Sequence, residues 1–385
     1  MEYKRIEELT TVVTGGTPST GKHEYWDGGN IPWLQSGCCQ NCDVNSTEKY
    51  ITQEGYDNSS ARIMPANTVM IALTGATAGK VGYLNFEACG NQSITGIFPC
   101  NSMNQRYLFY YLLSQREKIL TDCVGGAQAH ISQGYVKNIK VPVLPLSEQK
   151  QIVEVLTKLS TVISMQQNEI KTLDNLVKAR FVEMFGTYPD NPFGWNTGKI
   201  QDVVSNVRYG SSRPAVEGGK YPYLRMNNIT YAGELDLTDT KRIDVPDSEL
   251  DKCTVQRGDV LFNRTNSKEL VGKTCVYNRD DMMVLAGFVI RVRVNERILP
   301  EFLVAFLNMD FSKQMLLGMC KTAIGQANIN AKEMQNIGLY IPPIALQEQF
   351  VDLKKQTDKS KLLARLFYNS FFNFGHLFNI TNRFV

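Results

Sequence analysis

Two polar stretches place a lysine directly after a glycine, LTGATAGKVGY at 73–83 and RTNSKELVGKTCVY at 264–277. A loop that cradles a nucleotide phosphate has the form G-x-x-x-x-G-K-[ST], in which backbone amides face the phosphates and the final hydroxyl meets magnesium. Neither stretch has that form. The first is one residue short between Gly75 and Gly79 and carries Val81 in the hydroxyl position, and the second has Ser267 where the leading glycine belongs. Cys39 and Cys42 make a C-x-x-C beside Cys38, but no second ligand pair follows at usable spacing, so a zinc site is not expected. None of the three histidines, His23, His130 and His376, stands in a partnered nucleophile or acid–base motif. No G-x-G-x-x-G follows a strand pattern. The chemistry-bearing residues therefore predict no catalytic group, no metal and no cofactor.

What the two stretches share is an element. Each is an apolar strand (VMIAL, VLFN), a polar loop, Gly-Lys and a second short strand ending on tyrosine, the pattern of a hairpin with a polar tip. The likeness runs through the whole chain. EYKRIEELTTVVTGGTPS pairs with GWNTGKIQDVVSNVRYGSSRP from 194, setting Ile6 on Ile200, Gly16 on Gly210 and Pro18 on Pro214, and IPWLQSG at 31 pairs with YPYLRMN at 221. Val69 meets Val260, Lys80 meets Lys273, Tyr83 meets Tyr277, and YLFYYLL at 107 meets FLVAFLN at 302. GAQAHISQGYVKNIKVPVLPLSEQKQIV at 126 then runs without a gap against GQANINAKEMQNIGLYIPPIALQEQFV, with Gln128 on Gln326 and Val153 on Val351. Two copies fill the 385 residues, which predicts a duplicated architecture. Each copy mixes short strands with a helix near its end (106–120 and 300–317), so the predicted class is α/β or α+β with small mixed sheets.

Between the copies no proline or glycine interrupts 147–185; Ser147 is the predicted N-cap and Gly186 stands just past the C-terminus. Such a helix measures roughly 58 Å. Its seam alternates steps of four and three through Ile152, Leu156, Leu159, Ile163, Gln166, Ile170, Leu173, Val177, Arg180 and Met184, with Gln166 and Arg180 as candidates to fix register. The second copy threads as Leu346, Phe350, Leu353, Thr357, Ser360, Ala364, Phe367, Phe371 and Phe374. An antiparallel pair of these helices is expected; the alternative is two amphipathic helices, each docked on its own domain. MEYKRIEELT has no signal-peptide profile, no apolar run reaches membrane length, and nine scattered cysteines suit reduced thiols, so a folded cytoplasmic protein of several domains is expected.

These features resemble the DNA-specificity subunits of type I restriction-modification systems. The resemblance spans essentially the whole chain. It is carried by the Gln-Ala-x-Ile runs (Gln128 to Ile131, Gln326 to Ile329), by IKVPVLPLSEQKQIV and IGLYIPPIALQEQFV leading into long helices, and by NRTNSKELVGKT at 263–274. It implies two tandem target-recognition domains related by a pseudo-twofold, at 1–145 and 187–343. A first long helix at 146–186, and a second at 344–385 shortened by the aromatic tail LFYNSFFNFGHLFNITNRFV, would form an antiparallel coiled coil. It further implies a non-catalytic subunit. Each domain would read half of a bipartite site in double-stranded DNA, the helices would set the spacer and dock methyltransferase subunits, and a restriction/translocase subunit would join.

Base reading calls for Arg on guanine and Asn or Gln on adenine, with Lys and hydroxyls on phosphates. The expected DNA-binding set in the second copy is Arg225, Asn227 and Asn228, then Arg264, Asn266, Ser267 and Lys273, then Gln326 and Asn328. In the first copy it is Gln35 and Ser36, then Thr74, Thr77 and Lys80, then Gln128 and His130. With fewer arginines, the first copy is expected to rely more on amides and hydroxyls. The competing role for each loop Asn, Ser or Thr is to bond its own backbone in a turn. Lys and Arg number 41 against 38 Asp and Glu, a net charge of +3, so DNA-binding charge must be local. That balance keeps open a scaffold that joins proteins through its coiled coil and hairpins without touching DNA. A nucleotide hydrolase or self-contained methyltransferase fits less well, because NPFGW at 191 reads as a linker turn.

Overall fold

The computed structural model describes residues 2–122, 130–323 and 326–372, so Gln128 and the tail from Phe374 onward lie outside the described residues. The chain divides into two compact units, Met1–Gln167 with Leu366–Val385, and Asn168–Arg365.

In the first unit, Glu2–Arg5 pairs antiparallel with Lys140–Val143 and closes the head onto its own end. A five-stranded sheet runs in the order Val12–Thr14, Ile94–Ile97, Val69–Ala72, Val81–Leu84 and Cys42–Val44. A four-stranded sheet orders Lys49–Ile51, Ile31–Leu34, Ala88–Gly90 and Ile63–Met64, with Ile31–Leu34 parallel to Ala88–Gly90. The second unit repeats this plan. Asn196–Lys199 pairs with Gly338–Ile341, and Val204–Tyr209, Val289–Val294, Val260–Asn263 and Thr274–Val276 form one sheet. Lys241–Ile243, Tyr221–Leu224, Met283–Leu285 and Thr254–Val255 form another, again with one parallel pair. Both predicted hairpins are present: Val69–Ala72 pairs antiparallel with Val81–Leu84, and Val260–Asn263 with Thr274–Val276.

The expected single helix near the end of each copy is broken in two. Gln105–Ser114 is followed by Arg116–Asp122, and Pro300–Asn308 by Asp310–Met319. At the second break Met309 is extended (φ −68°, ψ 151°) and buried, so one core residue interrupts the backbone and re-aims the next helix.

The long helix spans Leu146–Phe185, 40 residues, so Ser147 lies inside it and is not its N-cap as expected. Pro145 occupies the cap position, its carbonyl accepting the amides of Glu148 (3.0 Å) and Gln149 (3.1 Å). Gly186 ends the helix at φ +81°, a left-handed residue where a Cβ would lie 2.4 Å from the Pro192 ring. All ten predicted seam positions are half-buried, and between Ile152 and Met184 only Val153, Asp174 and Phe181 depart from exposure otherwise. The second helix spans Ile344–Phe372, 29 residues. Within the second unit the two helices meet antiparallel: Phe181 packs edge-on against Phe350 at 5.2 Å, while Asp174, earlier on the first helix, reaches Lys361, later on the second, at 2.8 Å. Phe181, Phe185, Phe302 and Phe350 are all fully buried in this unit's core. Each contributes roughly 1.5–3 kcal/mol of burial. Among the described seam side chains one differs from expectation: Ser360 is exposed, and its neighbour Lys361 turns inward at 6% exposure, toward carboxylates.

The duplicated helix starts carry a duplicated bolt. Gln149, fully buried, accepts from Asn104 N (2.7 Å) and donates to Leu144 O (2.7 Å). Gln347, equally buried, accepts from Leu299 N (2.8 Å) and donates to Pro342 O (2.8 Å). No helix among the described residues is long and apolar enough to cross a membrane.

Candidate nucleic-acid interface

In the second head three loop systems converge on the Gly-Lys hairpin. Thr265–Asn266 leaves the first hairpin strand and pairs with Gln326–Asn328, which pairs in turn with Lys321–Ala323. The register sets Thr265 opposite Asn328 and Asn266 opposite Ala327. The first head keeps the same contact in reduced form, an isolated antiparallel bridge between Thr74 and His130. The structure therefore brings the second and third predicted groups together in both heads.

The predicted residues divide by what their polar atoms already do. Asn228 is 2% exposed; its Oδ1 accepts the Arg225 amide (2.8 Å) and its Nδ2 donates to Asp236 O (2.8 Å). Its amide is spent on the turn. Arg225 donates from Nη2 to the Asp239 carboxylate (2.8 Å) and carbonyl (3.0 Å), which ties it to its own loop, and Asp239 is held below its ordinary range by that bond and by Lys241. Lys273, expected at the exposed tip, is 7% exposed and donates to Met226 O at 3.0 Å, with burial pushing its pKa down. It ties the hairpin to the 226–228 turn. Asn227 and Asn328 are exposed, and Asn266 and Ser267 half-buried, the Asn266 Oδ1 accepting the Ser267 amide at 2.9 Å. Arg264 lies over the Tyr209 ring, 5.0 Å from its centroid. Gln326 sits on a strand facing Ala323.

In the first head, Gln35 is exposed at the entrance to the turn Ser36–Cys38 and lines a cavity of about 650 Å³ with Trp26, Trp33, Tyr50, Asn91 and Gln92. Ser36 is half-buried. Thr74 donates to Ser93 Oγ (2.9 Å) and Thr77 to Thr74 O (3.4 Å). Lys80 reaches Gln40 Oε1 at 2.6 Å, so the two Gly-Lys lysines have different surroundings. His130 is exposed.

Sequence reasoning missed three residues that hold this region, Tyr209, Lys313 and Asn308. Tyr209 supports Arg264 and its hydroxyl accepts the Ala331 amide at 2.9 Å; the signal was an aromatic directly before the duplicated Gly210. Lys313 donates to Gly272 O at 2.8 Å and clamps the hairpin from below, with Asn308 Nδ2 on Thr274 O at 2.8 Å beside it. Burial first, then Lys273 and Lys178, push the Lys313 pKa down to about 8. Between about 8 and its ordinary value of 10.5 the unfolded chain holds more protons, so this group makes stability rise with pH across that window. Replacing it by Met is expected to abolish the rise; denaturant unfolding of wild type and Lys313→Met at stepped pH checks this, and identical slopes would count against it.

Two tandem heads of one mixed α/β topology, each with a polar hairpin and each passing into a long helix, define a duplicated recognition protein. The chain belongs to the type I restriction modification DNA specificity domain family, whose sequence profile matches residues 1–175 and again 192–365. It is 23% identical over 371 residues to the type I restriction enzyme EcoKI specificity subunit of Escherichia coli, covering 90% of this chain and 79% of that protein. A second Escherichia coli type I specificity subunit is 32% identical over 166 residues, 42% of this chain and 41% of its own length. The solved type I restriction-modification S subunit from M. genitalium shares the fold at a TM-score of 0.52 and 14% identity, covering 98% of this chain and 94% of that one.

Proposed function

We propose that this chain is the sequence-reading, non-catalytic subunit of a type I restriction-modification complex in the cytoplasm. The observation that carries this reading is the double match to a DNA specificity domain in a chain whose two heads repeat one topology. Each head reads half of a bipartite site in double-stranded DNA. The paired helices set the spacer and dock methyltransferase subunits, and a restriction/translocase subunit completes the nuclease. Within the second head, Asn227, Arg264, Asn266, Ser267, Gln326 and Asn328 contact DNA, while Arg225, Asn228 and Lys273 hold the loops that present them. In the first head Gln35, Ser36, Thr77, Lys80, Gln128 and His130 make the contacts, and Thr74 braces them through Ser93.

Genome-wide adenine methylation mapping in host cells with and without this gene tests the reading. A bipartite methylated motif that disappears with the gene is the expected result, and an unchanged methylome would sink it. A reader that neutralises several phosphates also loses affinity steeply as salt rises, whereas a protein-joining scaffold does not.

A further inference from the structure

Among the described residues Arg264 has no carboxylate partner, whereas several other arginines of the second unit do. In the second unit Arg213 pairs with Glu249, Arg225 with Asp239, Arg257 with Asp280, Arg279 with Asp281 and Arg293 with Asp259. Among the described residues Arg264 has no ion pair and no side-chain hydrogen bond; its only side-chain partner is the Tyr209 ring, 5.0 Å away. Its backbone is fixed on both sides, the amide donating to Phe288 O (3.0 Å) and the carbonyl accepting the Ile329 amide (2.9 Å). Its Nε is enclosed without a partner, as are Asn263 Nδ2 and Thr265 Oγ1 on either side. Three consecutive residues at the mouth of the hairpin thus carry enclosed polar atoms without a protein partner.

A planar guanidinium held over an aromatic ring loses little freedom on binding, and its two terminal nitrogens match the O6 and N7 acceptors of guanine in the major groove. We infer that Arg264, positioned by Tyr209, reads a guanine in the half-site of the second head, an inference that rests on the proposed DNA-reading function. The first head has no equivalent. The repeat sets Leu73 on Arg264 and Gly15 on Tyr209; Leu73 is buried, and a side chain at Gly15 would lie 2.0 Å from Gly90 O. The two half-sites are therefore unlike, and the Arg264-dependent guanine belongs to one of them alone.

The test maps the methylated motif in cells carrying the full chain and its partner subunits, as wild type, Arg264→Gln, Tyr209→Leu and Tyr209→Phe. The expected motif has a fixed guanine that Arg264→Gln relaxes by about 10- to 100-fold in discrimination, leaving every other position intact. Tyr209→Leu relaxes the same position, and Tyr209→Phe, which keeps the ring, restores it. If Arg264→Gln fails to fold, wild-type binding to duplexes with 7-deazaguanine at that position decides, because only the N7 acceptor is removed and binding must weaken. A motif without a fixed guanine in either half overturns the inference while leaving the DNA-reading function standing. So does equal weakening at all sites without relaxation, which marks a phosphate contact. Loss of any chain-dependent methylated motif sinks the function itself.

Discussion

Removing one heptad, Ser160–Gln166, from the long helix is expected to shorten the spacer of the methylated motif while leaving the bases of both half-sites unchanged. Seven residues amount to about 10.5 Å of helix, so the change should reach up to about three base pairs at ~3.4 Å each. The deletion preserves the seam. Leu159 is then followed four residues later by the former Ile170, so the alternation of four and three continues and no polar face turns inward. Ser160–Gln166 also lies between the helix start, bolted by Gln149, and the segment from Asp174 to Phe185 that packs in the second unit. Neither core is cut. Exchanging the hairpin 264–273 for that of a relative should do the converse, altering bases in one half-site and keeping the spacer. Methylation mapping of both variants reads both quantities in one experiment, and altered bases after the heptad deletion would refute the idea that the helix is a ruler.

Much of this architecture was legible because it rests on local rules. A stretch without proline or glycine and with a four-three apolar alternation has no competing structure, and Gly186 supplies the left-handed stop. The hairpins were legible for the same reason, since β-branched runs flanking a polar loop leave few alternatives. What stayed hidden depends on partners far away in sequence. Lys80 and Lys273 look identical beside their glycines, yet the second is buried because Met226 O, from the preceding turn system, is there to receive it. Asn228 and Asn227 are adjacent and chemically alike, but only Asn228 faces Asp236 O. A lysine beside the seam position Ser360 has no local warrant for burial. Its warrant comes from Asp174, on a helix 187 residues earlier. The buried glutamines were within reach, since Gln149 and Gln347 coincide in the repeat at positions where a helix start should be apolar.

Replacing Lys361 by Met is expected to cost the second unit about 2 kcal/mol of stability, between the surface and fully buried cases, because the lysine is buried while its carboxylate partners keep solvent contact. The side chain is 8% exposed and its ammonium lies 2.8 Å from Asp174, 2.8 Å from Asp358 and 3.9 Å from Glu234. Met matches the stem in length and helix preference, so the loss reports the charge, which leaves Asp174 without this partner and Asp358 with Lys354. Burial opposes the charged lysine, but the bonds to Asp174 and Asp358 outweigh it and the pKa rises above 10.5. Burial likewise opposes the Asp358 carboxylate, and Lys354 and Lys361 outweigh it, taking it below 3.8. A raised lysine contributes stability that is complete below 10.5 and disappears as pH climbs through the folded value; a depressed aspartate contributes above 3.8 and is lost as pH falls through its own. The penalty for Lys361→Met should therefore be constant between about pH 4 and 10 and shrink at the alkaline end, as the wild type loses the same charge. Urea unfolding of both proteins at pH 5, 7 and 9 and at the alkaline limit gives the answer, and a penalty that persists undiminished once lysine is neutral would show that packing, not charge, sets this position. Because Glu234 belongs to the loop that bridges back to Ile229, beside Asn227 and Asn228, the same charge joins the helix pair to that loop within one unit.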